Sequence, residues 1–142
     1  MIMITIVDYN LGNLKSIQNM LKKLNIDSLI TSNIDQISEA KKIILPGVGS
    51  FDTAIKNLKE LGLIDILNYK ALDEKTPILG ICLGMQIMCK KSEEGKLDGL
   101  SWINAEVKRF KFKNSRYKLP HMGWNEVYIS KESPIFNTNE SS

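Results

Sequence analysis

The sequence predicts an α/β fold in which helices cover both faces of an open parallel sheet. Short apolar runs alternate with segments of helical periodicity up to about residue 90, and this alternation is typical of parallel sheets. The apolar runs are uninterrupted, as expected of strands that helices cover on both sides. The predicted strands span residues 2–8, 27–31, 42–45 and 77–81.

The helices between these strands follow from the spacing of apolar side chains and from capping residues. Apolar residues recur at intervals of three and four in residues 13–24 and again in 52–62, which indicates helices with one buried face. Asp52 is predicted as the N-cap of the second of these helices, and Gly62 as its C-cap. The remaining predicted helices span about 63–73 and 83–90.

The pattern changes after about Ser101. Residues 101–113 and 124–130 are predicted to be antiparallel strands with one exposed face. Neither a repeat nor a low-complexity linker marks a second domain. We therefore expect residues 1–142 to form a single domain that is incomplete at its C-terminus.

The composition restricts the class of protein. A hydrophobic content of 43% and a charged content of 25% are typical of soluble globular proteins. The apolar N-terminal segment is too short to span a bilayer and lacks the features of a signal peptide, so we expect a cytoplasmic protein without a membrane partner. Two cysteines and one histidine are too few for a disulfide framework or a structural zinc site. No metal or other cofactor is expected.

A cysteine lies between two glycines where the fourth predicted strand turns into a helix, in the stretch GICLG at 80–84. This arrangement is typical of a sharp strand-to-helix turn that carries a nucleophile, because the strained backbone and its close neighbours need glycine. A helix N-terminus stabilises a thiolate, and the next backbone N–H can donate to an oxyanion. Cys82 is therefore predicted to be a nucleophile. The alternative, a structural cysteine, is our interpretation of Cys89.

A second glycine-rich turn follows the third predicted strand, in the stretch LPGVGSF at 45–51. The third and fourth strands end at the same edge of the sheet, where open α/β sheets bind ligands. The N–H groups of Val48 and Leu83 could therefore form an oxyanion hole together. The alternative interpretation of the motif is a plain tight turn.

Cations and aromatic residues are interleaved in the segment 108–118, which contains six Lys and Arg. Such a segment can bind single-stranded nucleic acid, but a hairpin with one solvated face is the more common explanation, and we expect no nucleic-acid partner. A positive patch that docks a protein or guides an anionic substrate is a third explanation.

Five motifs together resemble the class I (triad-type) glutamine amidotransferases, and among these the glutaminase subunits of imidazole glycerol phosphate synthases. The resemblance covers residues 1–142 and implies a flavodoxin-like sheet. The motifs are VDYNLGNLKSI (7–17), ILPGVGSF (44–51), GICLGMQIM (80–88), SEEG (92–95) and LPHMGWN (119–125).

The resemblance implies a reaction and a set of substrate contacts. Cys82 would attack the side-chain amide of glutamine, pass through an oxyanion to a glutamyl thioester and release ammonia. The N–H groups of Val48 and Leu83 would stabilise the oxyanion, and the Val48 amide is expected to reorient when a partner is ready. Gly49 and Gln86 would hold the substrate glutamine.

The resemblance also implies a protein partner, a (β/α)₈-barrel synthase that receives the ammonia in histidine biosynthesis. Four residues correspond to positions that face this partner in the family: Asn10, Asn13, Met122 and Trp124.

One part of the family pattern is absent from the sequence. A cysteine nucleophile needs a base and a residue that orients the base, and the family takes both from a C-terminal His-x-Glu segment that residues 1–142 lack. The single histidine, His121, lies in the partner-side motif. We therefore expect this chain by itself to be inactive as a glutaminase.

Three functions remain open from the sequence. The first is the glutaminase subunit of histidine biosynthesis. The second is a paralogous glutaminase that aminates a nucleotide-linked sugar for surface polysaccharide or flagellin modification. The third is a non-catalytic interaction protein that keeps the cysteine but lacks the base.

Overall fold

The chain forms two units, Met1–Arg109 and Phe110–Ser142. The computed structural model describes residues 3–112 and 122–131. Within these residues all helices and strands belong to the first unit, and none of the helices is long and apolar enough to cross a membrane. In the described part of the second unit, the rings of Phe110 and Phe112 stack with their centroids 5.8 Å apart.

The first unit is built on a four-stranded sheet in which all neighbouring strands are parallel, as predicted. The strand order is β2-β1-β3-β4. The strands are β1 (Ile4–Val7), β2 (Ser28–Thr31), β3 (Ile43–Leu45) and β4 (Ile78–Gly80). In the register of the sheet, Thr5 lies opposite both Leu29 and Ile43, and Ile43 lies opposite Ile78.

Five helices connect and follow these strands. They are α1 (Leu14–Lys23), α2 (Ile34–Ser38), α3 (Phe51–Glu60), α4 (Leu63–Asn68) and α5 (Leu83–Ile87). A π-helical turn, Tyr69–Asp73, continues α4, so the predicted helical piece at 63–73 is confirmed. The helix expected over 83–90 is shorter, because it ends at Ile87. The sequence analysis did not predict α2.

The N-cap of α3 differs from the prediction. Ser50, not Asp52, occupies the N-cap position, and its Oγ accepts a hydrogen bond of 3.3 Å from the N–H of Thr53. Asp52 lies inside the first turn of the helix instead. At the other end, Gly62 has φ +66° directly after the C-cap residue Leu61, so it terminates α3 in the left-handed conformation that glycine adopts at least cost.

Side chains alternate between two apolar layers along the central strands. Val7, Ile43 and Leu45 join the larger cluster with α2, α3, α4 and α5, whereas Ile6 and Ile44 join a smaller cluster with α1. The strand order explains this distribution. The chain moves from β1 to β2 in one direction along the sheet and then reverses to β3 and β4 on the other side of β1. Because each crossover is right-handed, the helices before and after the reversal lie on opposite faces. Helices therefore cover both faces, as predicted, and the reversal places a crevice at the carboxyl ends of β1 and β3.

The predicted antiparallel section is wrong for the described residues. Between 101 and 112 the only strand is β6 (Glu106–Val107), and it pairs in parallel with β5 (Lys91–Ser92). Residues 124–130 contain no strand. Alternating apolar and polar side chains indicate a half-exposed extended segment, but they do not specify which strand it pairs with or in which direction.

The start of the basic segment is neutralised locally. Glu106 accepts hydrogen bonds from Lys108 at 2.8 Å and Lys91 at 2.9 Å. These two contacts lower the pKa of Glu106 to about 2, and the hydrogen bond from Lys108 has the larger effect. Lys108 also lies 3.7 Å from Glu93. Residues 113–118 of the segment lie outside the described residues, so the nucleic-acid interpretation stays open there.

Candidate active site

Three turns meet at the carboxyl edge of the sheet, after β1, β3 and β4. The space around their glycines shows how closely the turns pack. A Cβ built on Gly47 would lie only 2.8 Å from the nitrogen of Gly84 and 2.9 Å from the Cβ of Leu83. A Cβ on Gly12 would lie 3.5 Å from the nitrogen of Gly47. The N–H of Ile81 also donates to the carbonyl of Leu45 at 3.0 Å. The turns are thus in direct contact.

Cys82 lies at the sharp turn between β4 and α5. It has φ +54° and ψ −117°, a conformation that residues with a side chain rarely adopt, and its side chain is exposed. Two glycines permit this turn: a Cβ on Gly84 would lie 1.8 Å from the carbonyl oxygen of Leu45, and one on Gly80 would lie 2.6 Å from the Cα of Met85. The strand-to-helix turn expected from GICLG is present, with both glycines required by close backbone contacts.

Two backbone N–H groups near this turn are available to a ligand. Among the described residues, neither Leu83 N–H nor Val48 N–H has a hydrogen-bond acceptor, whereas the next two amides of α5 donate to the carbonyls of Ile81 and Cys82, both at 3.0 Å. Leu83 has a buried side chain, and Val48 is exposed between two glycines. An exposed thiol beside such amides has the composition of a site for acyl transfer.

The two residues predicted to hold the substrate lie on the same two turns. Gln86 is half-buried on α5, and its N–H donates to the carbonyl of Cys82 at 3.1 Å. Gly49 has φ +121°, which requires glycine, and a Cβ there would lie 3.7 Å from Leu11 Cδ2. Gln86 is thus joined to Cys82 by a backbone hydrogen bond, and Gly49 lies on the same turn as Val48.

Tyr9 is a residue of this region that the sequence analysis missed. Its side chain is completely buried, and its hydroxyl donates to the carbonyl oxygen of Pro46. Asn57 on α3 donates to the Tyr9 carbonyl at 2.9 Å. Burial raises the pKa of Tyr9 above its ordinary range, and the electrostatic interaction with Cys82 raises it further. The one signal in the sequence is an aromatic residue two positions after β1, within the motif VDYNLGN.

The segment 92–97, which contains the SEEG motif, is attached to α3 by Asp52. The carboxylate accepts hydrogen bonds from the N–H groups of Lys96 at 2.9 Å and Leu97 at 3.0 Å. These two hydrogen bonds hold the pKa of Asp52 below its usual value, and the bond from Leu97 has the larger effect. A Cβ on Gly95 would lie 2.4 Å from Asp52 Oδ1, so this position accommodates no side chain without a shift.

Asn10 and Asn13, predicted to face a partner, lie on the turn after β1 and are exposed. Asn10 has φ +64°, and its N–H donates to Asp8 Oδ1 at 3.0 Å. Asn13 is the N-cap of α1, where its Oδ1 accepts a hydrogen bond of 3.4 Å from the N–H of Ser16. Each therefore has a local structural role in addition to any contact with a partner.

The other two predicted interface residues belong to the second unit. Met122 and Trp124 are both highly exposed, with relative exposures of 83% and 105%. His121, the single histidine, lies outside the described residues.

Curated proteins of known name are similar to the chain over most of its length. One from Methanococcus maripaludis, imidazole glycerol phosphate synthase subunit HisH 2, is 58% identical over 133 residues, which cover 94% of this chain and 65% of the relative. One from Leptospira borgpetersenii, imidazole glycerol phosphate synthase subunit HisH, is 44% identical over 142 residues, which cover 99% of this chain and 70% of the relative. The chain thus spans about two thirds of the length of these relatives.

The fold is shared with a solved structure described as a crystal structure of glutamine amidotransferase. The TM-score is 0.62 at 24% sequence identity, and the match covers 78% of this chain and 59% of that one. A family model, glutamine amidotransferase class-I, matches residues 5–142. That range takes in the sheet, the turn of Cys82 and the amide-bearing turn after β3. The chain therefore belongs to the class-I glutamine amidotransferase family.

Proposed function

We propose that the chain acts as the glutaminase subunit of an imidazole glycerol phosphate synthase. The observation that carries the proposal is the strained, exposed Cys82 beside the N–H of Leu83, which has no acceptor among residues 3–112 and 122–131. The names of the relatives reported above support the histidine pathway over amination of a nucleotide-linked sugar.

The proposed reaction uses Cys82 as the nucleophile. Its thiolate attacks the amide carbon of the glutamine side chain, and the N–H groups of Val48 and Leu83 donate to the oxyanion that forms. The C–N bond then breaks, the nitrogen takes up a proton and leaves as ammonia, and a glutamyl thioester remains. Water hydrolyses the thioester to glutamate and restores the thiol. Gly49 and Gln86 hold the substrate.

The proposed partner is the (β/α)₈-barrel synthase subunit that uses the ammonia. Asn10 and Asn13, exposed after β1, support such an interface, and Met122 and Trp124 are large exposed side chains of the kind that anchor interfaces. A glutaminase that serves amino-acid biosynthesis would work in the cytoplasm.

We further propose that residues 1–142 by themselves do not turn over glutamine. Deprotonation of the thiol and protonation of ammonia both need a positioned acid–base group. The only histidine of the sequence is His121, which belongs to the partner-side motif LPHMGWN. The base would then come from outside these residues.

Labelling of Cys82 tests the nucleophile separately from turnover. The chain is incubated with a glutamine-like electrophile, with and without the barrel synthase, and the modified residue is located by mass spectrometry. We expect modification at Cys82 that glutamine protects against, and none in Cys82→Ser. Cys89→Ser is the matched control and should label like the unaltered chain.

Two outcomes would contradict these proposals. No labelling of Cys82 in the presence of the synthase would favour a non-catalytic interaction protein. Steady-state release of ammonia by residues 1–142 alone, abolished in Cys82→Ser, would contradict the proposed lack of turnover.

A further inference from the structure

Tyr9 links three elements of the sheet edge. It follows β1, its side chain is completely buried, and its hydroxyl donates to the carbonyl of Pro46, which is 37 residues later in the chain. Asn57 of α3 donates to the carbonyl of Tyr9 at 2.9 Å. The residue is therefore held at its backbone and at the end of its side chain.

The hydroxyl lies close to Gly47, the residue directly before Val48, and Gly47 in turn lies against the start of α5. A Cβ on Gly47 would lie 2.4 Å from the hydroxyl oxygen and 2.8 Å from the nitrogen of Gly84. Tyr9 and the start of α5 therefore both pack directly against Gly47, and no methyl group fits between them. The peptide whose carbonyl the hydroxyl holds is the one directly before the peptide that bears the Val48 N–H.

The hydroxyl is a permanent donor at this position. Burial raises the pKa of Tyr9, and the electrostatic interaction with Cys82 raises it further, so the phenol stays protonated around neutral pH. Pro46 is itself buried, and among the described residues its carbonyl accepts a hydrogen bond from Tyr9 alone. Without this donor the buried carbonyl would be unpaired, which favours rotation of the peptide toward another donor.

We propose that Tyr9 is a positioning residue for acyl transfer at Cys82, because its hydroxyl fixes the Pro46–Gly47 peptide and thereby the direction of the Val48 N–H. This proposal rests on the proposed glutaminase function of the same site. A merely structural Tyr9 would contribute to folding and leave the relative rates of different reactions of Cys82 unchanged.

Two reagents distinguish a change in the orientation of the amides from a change in the reactivity of the thiol, because only one of them forms an oxyanion. With 4-nitrophenyl acetate, the thiolate attacks the ester carbon through a tetrahedral oxyanion, the C–O bond breaks, and 4-nitrophenolate leaves with the electron pair. With iodoacetamide, the thiolate displaces iodide at a saturated carbon and no oxyanion forms. Neither reaction needs glutamine, a partner protein or a protein base once the thiolate is present.

The test compares Tyr9→Phe with the unaltered Tyr9 in a Cys89→Ser background. In the background chain, the ratio of the acylation rate to the alkylation rate should exceed that of N-acetylcysteine. In Tyr9→Phe we expect the acylation rate to fall about fivefold to tenfold while the alkylation rate changes less than about twofold. This loss is smaller than the roughly 100-fold loss on removing an oxyanion donor itself, since the amide is misdirected and not deleted.

Tyr69→Phe is the matched control, because Tyr69 is a half-exposed residue of the π-helical turn outside the three turns at the sheet edge. It should leave both rates unchanged, and thermal melting should show that both variants are folded. If Tyr9→Phe does not fold, Asn57→Ala decides, since it releases the Tyr9 backbone and should lower the same ratio.

An unchanged or higher ratio in folded Tyr9→Phe would overturn the proposal, as would a background ratio no higher than that of N-acetylcysteine. A lowered ratio in a chain that never labels with glutamine-like electrophiles would support the role of Tyr9 while contradicting the glutaminase function.

Discussion

Two turns lie side by side at the carboxyl edge of the sheet, and their backbones are held in different ways. In the turn after β4, Cys82 has φ +54° although it carries a side chain, and Gly80 and Gly84 contact backbone atoms so closely that no side chain fits. In the turn after β3, the positive φ falls on Gly49, and Tyr9 from the turn after β1 donates a hydrogen bond to the carbonyl of Pro46.

The difference indicates how the two turns respond to change. A contact between two backbones relaxes only if whole elements separate, so the turn of Cys82 is rigid. In the turn that carries Val48, the Pro46 carbonyl is held by one side-chain hydroxyl, so the conformation of this turn depends on a single residue from elsewhere in the chain. Rigidity suits a nucleophile, whereas dependence on one hydroxyl makes the direction of the Val48 N–H sensitive to Tyr9.

Replacing Gly84 with alanine should produce the largest effect and is the most direct way to break the rigid turn. The Cβ would lie 1.8 Å from the carbonyl oxygen of Leu45, so β3 and α5 would have to separate. We expect the free energy of unfolding to fall by about 3 kcal/mol or more, at the top of the range for overpacked sites. Urea denaturation followed by circular dichroism measures it.

Gly62→Ala is the control for this prediction. Its Cβ would have a neighbour only at 4.0 Å, so the positive φ is its main disadvantage and we expect a loss of about 1 kcal/mol. Equal losses at Gly84 and Gly62 would show that close packing does not determine the turn of Cys82.

The second prediction concerns the effect of the strained backbone at Cys82 on stability. Glycine adopts a positive φ without the steric cost that a side chain brings, so Cys82→Gly should be more stable than Cys82→Ala by about 1 kcal/mol. Thermal or urea unfolding of the two variants gives the difference. At Cys89, which has no positive φ, alanine should be the more stable replacement. The same preference at both cysteines would contradict strain at the nucleophile.

The attachment of α3 to the segment 92–97 depends on pH through Asp52. The folded chain holds the pKa of this carboxylate below its ordinary value of 3.8, so its stabilisation is fully present above that value and is lost as the pH falls through the folded pKa. The difference in unfolding free energy between the unaltered chain and Asp52→Asn should therefore shrink between about pH 5 and about pH 2.

Asp65→Asn is the matched control for the pH dependence. Asp65 is also an exposed acid in the first turn of a helix, but its carboxylate accepts no hydrogen bond from the described residues. Its substitution should change stability little at any pH in this range. A pH-independent difference at Asp52 would mean that the bonds to Lys96 and Leu97 do not depend on the charge.

The third turn at the sheet edge gives the smallest expected effect. Asn13 caps α1 through a long bond of 3.4 Å, so Asn13→Ala should cost about 0.5 kcal/mol, the lower end for a lost cap. Asn33→Ala should cost more, because Asn33 caps α2 at 3.0 Å. Asn13→Ser keeps the cap, and weaker binding of the synthase by this variant would identify a partner contact. Unchanged binding would limit Asn13 to its capping role.

Features that depend on neighbouring residues could be predicted from the sequence. The four strands and the helical periods could be predicted because side-chain spacing and β-branched runs act locally. The glycines around Cys82 could be interpreted for the same reason, since a sharp turn needs small residues within two positions of its centre. Parallel pairing followed from the alternation of strands and helices.

Tertiary structure alone decided the features that join distant parts of the chain. Asp52 satisfies the local rule for a cap, but Ser50 caps the helix instead. The Asp52 carboxylate accepts hydrogen bonds from backbone N–H groups 44 and 45 residues later in the chain. The strand Glu106–Val107 pairs in parallel because its partner is Lys91–Ser92, which side-chain alternation does not specify. Tyr9 reaches Pro46 only because β1 and β3 are neighbours in the sheet. Each of these contacts depends on which elements pack together, and no local pattern encodes that choice.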